Sequence, residues 1–294
     1  MRVVMTGATS GIGLVAAGLL IGHGADLVVG ARRPERAPEG LRGARILPLD
    51  LADLASVNAF ADRLGEAQID RLVCNAGLQV TSDQRSAQGF EVTFAANHLA
   101  HHRLIRRLTP RLAPQARIIL TSSATHDPAL QTSMPAPLHA DARMLALPET
   151  DPQRDRDPAK AVRRAYSSSK LANVMTALEL SRRLAAERPD VAIMAFDPGF
   201  TPGTGLARDY PGPVDLLFRH LLRFFVRGDH VSTPALSGAC LAALVTDAEF
   251  DGARGTYFSV RAKIMRQAAP SVLARDASAL AKLWDDSAGL TDAA

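Results

Sequence analysis

Short apolar runs alternate along the chain with longer stretches of helical periodicity. RVVMT, DLVVGA, ARILPL, DRLVCNA, ARIILTSS and VAIMAF read as buried strands, and GTYFSV near the end is a weaker one. Between them, apolar positions recurring three and four residues apart predict helices over 12–23, 53–64, 87–112 and 161–188. Strands that are apolar throughout and alternate with helices imply parallel βαβ units in one sheet covered on both faces. The expected class is therefore α/β, a doubly wound parallel sheet of about seven strands with helices on both faces. No internal repeat or linker divides 1–294, so one domain is expected.

Two stretches break the rhythm. Residues 126–158 are rich in Pro, Asp and Arg with little periodicity, and read as a long loop insertion. Residues 200–230 begin FTPGTGLARDYPGPVD and continue LLFRHLLRFFVR, a basic amphipathic helix over 214–227. Three roles are open to it. It can lie on a membrane with Leu216, Phe218, Leu222 and Phe225 inserted, cap a substrate pocket, or pack on another subunit.

Composition narrows the partners. The 294 residues are 47% hydrophobic and 22% charged, ordinary for a globular chain. Thirty-four basic against 30 acidic residues give +4, but the basic residues are scattered and only 5% of residues are aromatic, which argues against nucleic acid. Two cysteines are too few for a disulfide framework or a zinc site. No apolar run is long enough to span a bilayer, and MRVVM passes into TGATSGIG without a leader-like region, so a cytoplasmic location is expected.

TGATSGIG follows the first strand and opens the first helix, with Gly7, Gly11 and Gly13 spaced G-x-x-x-G-x-G. In that context the glycines let the backbone approach a pyrophosphate, and the helix N-terminus supplies amide donors. Thr6, Ser10 and Ile12 line the same turn. The second strand ends in ARRPER rather than in an acidic residue that would hold a ribose 2′-hydroxyl. Arg32 and Arg33 stand there instead, and guanidinium forks suit a 2′-phosphate, so NADP(H) is the expected cofactor. YSSSK places Tyr166 and Lys170 one helical turn apart on one face, in a chain with only four lysines.

Seven motifs occur in order: TGATSGIG, LDL (49–51), NAG (75–77), AANHL (95–99), ILTSS (119–123), YSSSK (166–170) and DPG (197–199). Together they resemble the short-chain dehydrogenase/reductase family, over residues 1 to about 260. GFEVTFAANHLAHH and AYSSSKLANVMTALEL look closest to the branch of retinol dehydrogenases and protochlorophyllide reductases, as does the long insertion before Tyr166. The resemblance implies a Rossmann-like fold and assigns roles. Tyr166 is the general acid/base, and Lys170 lowers its pKa and holds the nicotinamide ribose. Ser123 binds the substrate oxygen, with Ser122 more structural. Asn97 holds a relay water, and Asn75, with Ala76 and Gly77, steadies the strands beside the cofactor. Asp50 reaches the adenine edge with Leu51 packed near it, and Pro198 and Gly199 flank the cofactor.

After DPG the pattern departs. The family's usual Thr position is Gly203, with Thr201 and Thr204 on either side as candidate cofactor contacts. TGLAR (204–208) is similar to protochlorophyllide reductases, but Phe200 stands where those enzymes carry a cysteine, which weakens that reading. His98, His101 and His102 share a helix face but lack an accompanying carboxylate motif, so no metal is expected. The implied activity is NADP(H)-dependent interconversion of a carbonyl and an alcohol on a hydrophobic small molecule. The alternatives are C=C reduction and a non-catalytic NADP-binding role. A homodimer or homotetramer formed through 87–112 and 161–188 is also implied.

Overall fold

The computed structural model describes residues 1–202 and 229–293. The strands are β1 (Arg2–Thr6), β2 (Asp26–Ala31), β3 (Arg45–Pro48), β4 (Ile69–Cys74), β5 (Leu112–Thr121), β6 (Ala192–Asp197), β7 (Arg254–Arg261) and β8 (Ile264–Ala268). They form one sheet in the order β3-β2-β1-β4-β5-β6-β7-β8. All neighbours pair parallel except β7 with β8. The strand order reverses between β1 and β4, which opens a crevice at the carboxyl ends of these strands.

Helices cover both faces, as the alternation requires. On one side α1 (Gly11–Gly22) packs near the later helix α7 (Pro234–Thr246), and Val3, Met5, Val29 and Ile119 fill the space beneath them. On the other side lie α2 (Leu54–Arg63), the broken helix α3 (Val92–Phe94) and α4 (Ala100–Leu108), then α5 (Ala142–Ala146), α6 (Pro158–Arg183) and α8 (Ala277–Asp292). Their cluster includes Phe60, Phe94, Leu104, Leu171, Met175 and Leu283, all essentially without exposure. A π-helical turn, Ala95–Leu99, joins α3 to α4.

Helix boundaries depart from the periodicity for local reasons. The expected helix over 87–112 starts at Val92, because residues before it turn at Gly89 (φ +81°) and Glu91 caps the amides of Thr93 and Phe94 with its carboxylate. It ends at Leu108, where Thr109–Arg111 tighten into a 3-10 turn containing Pro110. Helix α6 starts three residues before the expected 161, with Asp157 accepting from the Ala159 amide and Pro158 in the first turn.

The insertion 126–158 is a packed segment rather than a loop. It holds α5 and several 3-10 turns. Ala142 and Ala146 are fully buried in the core. Arg164 pairs with Asp155 and also donates to the Ala136 carbonyl, and the Glu91 amide donates to Ala146 O at 2.8 Å.

Besides α5, three elements lie beyond the expected set: β8, α7 and α8. Helix α7 (PALSGACLAALVT) is apolar nearly all round, so no stripe marks it. It comes so close to α1 that a Cβ on Gly238 would stand 2.6 Å from Val15 Cβ. Helix α8 lies across α6 and α4 with Leu280, Leu283 and Trp284 buried. The chain itself thus covers part of the helix surface that the resemblance assigned to a subunit interface. Among the described residues no helix is long and apolar enough to cross a membrane. The helix expected over 214–227, together with Gly203 and Thr204, lies outside the described residues.

Candidate active site

Strand β1 delivers the chain into the glycine loop, and α1 begins at Gly11. Gly7 (φ +70°) and Gly11 (φ +56°) are left-handed. A Cβ on Gly7 would stand 2.5 Å from Ala76 Cα, and one on Gly13 would stand 2.0 Å from the Gly7 carbonyl oxygen. Only glycine builds this cradle, and the unpaired amides of the first turn of α1 open onto it. Ser10 and Ile12 flank it at the helix start, partly exposed. The Asn75 amide donates to Gly7 O at 3.0 Å and the Thr121 hydroxyl donates to Asn75 Oδ1 at 3.2 Å. The Ala76 amide donates to Thr6 Oγ1 at 3.1 Å. These bonds lace together the carboxyl ends of β1, β4 and β5 beside the crevice.

Arg32 and Arg33 follow the last residue of β2 and are both exposed, with no ion-pair partner among the described residues. At the next strand end, the Ala52 amide donates to Asp50 Oδ1 at 3.0 Å, and Leu51 packs against the core. The seat is thus glycine-built, with free guanidinium groups at its rim. These residues fit a dinucleotide carrying an additional phosphate.

The second half of the site comes from α6, the end of β5 and the π turn. Tyr166 is 7% exposed and Lys170 2%. Lys170 Nζ donates to Thr121 O at 3.1 Å and lies 5.5 Å from the Tyr166 ring centroid. The Ser123 side chain stands near enough to the Tyr166 phenol to pull its pKa down. A Cβ on Gly77 would stand 3.2 Å from Lys170 Nζ and 3.6 Å from Asn97 Oδ1, so these groups converge on the 76–78 segment. Asn97 is fully engaged: Oδ1 accepts from the Leu78 amide at 2.8 Å, and Nδ2 donates to Leu78 O at 2.9 Å and Ser169 Oγ at 3.0 Å. Ser122 is structural, its hydroxyl donating to Lys170 O at 2.9 Å. The wide π turn is what brings Asn97 against Leu78.

The electrostatics differ from the expectation of a phenol with lowered pKa. Burial pushes Tyr166 up, the Asp197 carboxylate adds to this, and the nearby Ser123 side chain opposes it. Burial also pushes Lys170 down to about 8, with Asp197 pulling the other way. Lys170 Nζ lies over the ring, 5.5 Å from its centroid, and gives its hydrogen bond to Thr121 O. In this state the phenol holds its proton, as an acid must.

DPG closes the site. The Gly199 amide (φ +74°) donates to Asp197 Oδ1 at 2.9 Å, and the Pro198 carbonyl accepts from Ser237 at 2.7 Å. Thr201 is buried and donates to Gly199 O at 3.2 Å. Phe200 is 44% exposed.

Asp197 gains a weight that the sequence reading did not give it, and His126, close after Ser123 in the sequence, gains a defined place. Asp197 is buried, accepts from Tyr257 and Ser259, and biases both Tyr166 and Lys170. An acidic residue closing the apolar strand AIMAFD was the available signal. His126 is buried, with Nδ1 on Ser123 O at 2.8 Å and Nε2 accepting from the Ser271 amide at 3.3 Å, which pins the Ser123 turn to the C-terminal segment. His98, His101 and His102 are buried, and no cluster able to hold a metal exists among the described residues.

A dinucleotide cradle at the switch point of a doubly wound sheet, beside a Ser-Tyr-Lys constellation, defines an oxidoreductase of the Rossmann-like class. Residues 1–134 match the short chain dehydrogenase family. The chain is 32% identical to a protein assigned as the daunorubicin C-13 ketoreductase DnrU of Streptomyces sp. (strain C5), covering 97% of this chain and 91% of that one. It is 31% identical to a protochlorophyllide reductase of Avena sativa, covering 87% and 88%. A crystal structure of an uncharacterised protein from Mycobacterium paratuberculosis superposes with TM-score 0.75 at 28% identity, over 99% of this chain and 93% of that one. A short chain dehydrogenase from Burkholderia cenocepacia J2315, solved with NADP, shares the fold at TM-score 0.62 and 22% identity, over 89% and 96%. The chain belongs to the short-chain dehydrogenase/reductase family.

Proposed function

We propose that the protein is an NADP(H)-dependent reductase or dehydrogenase that interconverts a carbonyl and an alcohol on a hydrophobic small molecule. The observation that carries this reading is the convergence of Ser123, Tyr166 and Lys170 beside the glycine cradle. The exposed arginines after β2 favour NADP(H) over NAD(H). Thr6, Gly7, Ser10, Gly11, Ile12, Gly13, Arg32 and Arg33 hold the phosphates. Asp50 and Leu51 meet the adenine. Asn75, Ala76, Gly77, Pro198, Gly199 and Thr201 border the nicotinamide end. The bound nicotinamide supplies or accepts the hydride.

In the reductive direction Tyr166 gives its phenolic proton to the substrate oxygen. Burial suits it to that role by keeping the proton on the phenol until an acceptor arrives. Ser123 donates to the same oxygen and stabilises the charge developing there. Lys170 keeps an ammonium beside the site at neutral pH, and Asn97 holds the 76–78 segment in place. Phe200, and Val272 next to the His126-bound Ser271, present apolar surface at the rim, which supports a hydrophobic substrate. One domain carries all of this, with 126–158 as a packed insertion and 200–230 as the substrate cap. Assembly into a homodimer or homotetramer uses helix surface outside the area that α8 covers.

Turnover of NADPH with a panel of hydrophobic ketones and aldehydes tests the reading. Saturation of a C=C bond with the carbonyl left intact would favour the protochlorophyllide reductase-like alternative. The phenylalanine at position 200, in place of that group's cysteine, counts against it.

A further inference from the structure

His101 links the two halves of the site. It is fully buried on α4, one turn after Asn97. Its Nδ1 lies 2.9 Å from Asn97 O and its Nε2 lies 3.0 Å from Thr6 Oγ1. A carbonyl only accepts, so Nδ1 carries the proton, and in the neutral ring Nε2 must accept from the Thr6 hydroxyl. That hydroxyl in turn accepts from the Ala76 amide at 3.1 Å. A one-way chain of donors therefore runs from Ala76 through Thr6 and His101 to the Asn97 carbonyl.

The chain closes on itself. The Asn97 side chain holds both backbone groups of Leu78, two residues after Ala76. The 76–78 segment is thus gripped at one end by Thr6 and at the other by Asn97, and His101 is the strut between the two grips. Gly77, at the centre of the segment, faces Lys170 Nζ.

We propose that His101 is a positioning residue, held as the neutral Nδ1–H tautomer, that sets the distance between the dinucleotide cradle and the catalytic turn. Burial supports neutrality by pushing its pKa down to about 4, and the Lys170 charge acts in the same direction. The proposal rests on the reductase reading above, and it predicts that the two bonds serve different ends. The Thr6 bond serves the cofactor seat, and the Asn97 bond serves turnover.

Two isosteres separate these functions. An asparagine amide reaches the place of Nδ1, and a glutamine amide reaches the place of Nε2. His101→Asn should weaken NADPH binding about threefold to tenfold, the loss of one buried hydrogen bond, with kcat nearly kept. His101→Gln should do the reverse, lowering kcat about threefold to tenfold with NADPH affinity nearly kept. His101→Phe should lose both. In nitrogen-15 NMR of the full-length wild type, the His101 ring should show a protonated Nδ1 and a bare Nε2, unchanged down to pH about 5. Equal effects of the Asn and Gln variants on binding and turnover, or an Nε2–H tautomer, would overturn the proposal. Wild-type protein that binds no NADPH would instead overturn the reductase reading and leave the tautomer result standing.

Discussion

Lys170→Met should make the protein more stable while removing its activity. The Lys170 amine is 2% exposed, and burial pushes it down to about 8 from an ordinary 10.5. The unfolded chain therefore binds this proton more tightly than the native protein does. At pH 7 the buried ammonium costs about 3 kcal/mol of stability, at about 1.4 kcal/mol for each tenfold difference in proton affinity between native and unfolded chain. The sign follows from linkage. Wild-type stability rises as pH climbs from about 8 toward 10.5, because only the unfolded chain still holds the proton. Methionine matches the chain length without a charge, and Thr121 O retains the Asn173 amide at 3.0 Å as a partner. The variant's advantage should be about 3 kcal/mol at pH 7 and about 1 kcal/mol at pH 9.5. Denaturant unfolding of both proteins at the two pH values measures it, and groups titrating in both proteins cancel in the difference. A variant less stable than wild type at pH 7, or an advantage that does not shrink with pH, would refute the electrostatic reasoning.

Further outcomes follow from the same geometry. Burial holds His98 at about 3 and His101 at about 4, so stability is intact above the ordinary histidine value of 6.5 and is lost as pH falls below it. Each should cost about 2 kcal/mol by pH 5, read as an acid-side fall in Tm. His102 is also held neutral, packs between His98 and Trp284, and has no hydrogen-bond partner on either nitrogen among the described residues. His102→Phe should raise stability by about 1 kcal/mol or more and flatten that acid slope. Arg32→Ala should weaken NADPH binding about tenfold and leave NADH binding unchanged, checked by titration. Trp284 is the chain's single tryptophan, on the inner face of α8 against His102 and Arg183. Trp284→Ala should cost about 3–5 kcal/mol in denaturant unfolding.

The sheet was legible because its strands are apolar on both faces, a pattern amphipathic elements do not produce. The glycine cradle was legible because close backbone approach admits only glycine, and the resemblance named Asn75, Ser123, Tyr166 and Lys170, which the fold brings to one crevice. What escaped the sequence depends on tertiary contact. Helix α7 has no polar face to give it a period, and its fit to α1 rests on one close approach at Gly238. The 126–158 segment lacks periodicity because arginine bridges and two buried alanines hold it, rather than an amphipathic stripe. The direction of the Tyr166 shift was misjudged because the i, i+4 spacing fixes the face but not where Nζ lies on the ring, and it does not reveal Asp197. The shared helix face of His98, His101 and His102 pointed to no role in the sequence; in the fold His101 joins the two halves of the site.

The central claim is that Tyr166 delivers a proton to a carbonyl oxygen beside bound NADPH. Tyr166→Phe removes the hydroxyl and keeps the ring against Lys170. The direct measurement is NADPH consumption by wild type and Tyr166→Phe with a hydrophobic ketone, alongside NADPH affinity for both. The account predicts unchanged affinity and a loss of turnover on the order of a hundredfold or more. Undiminished turnover in the variant would contradict it.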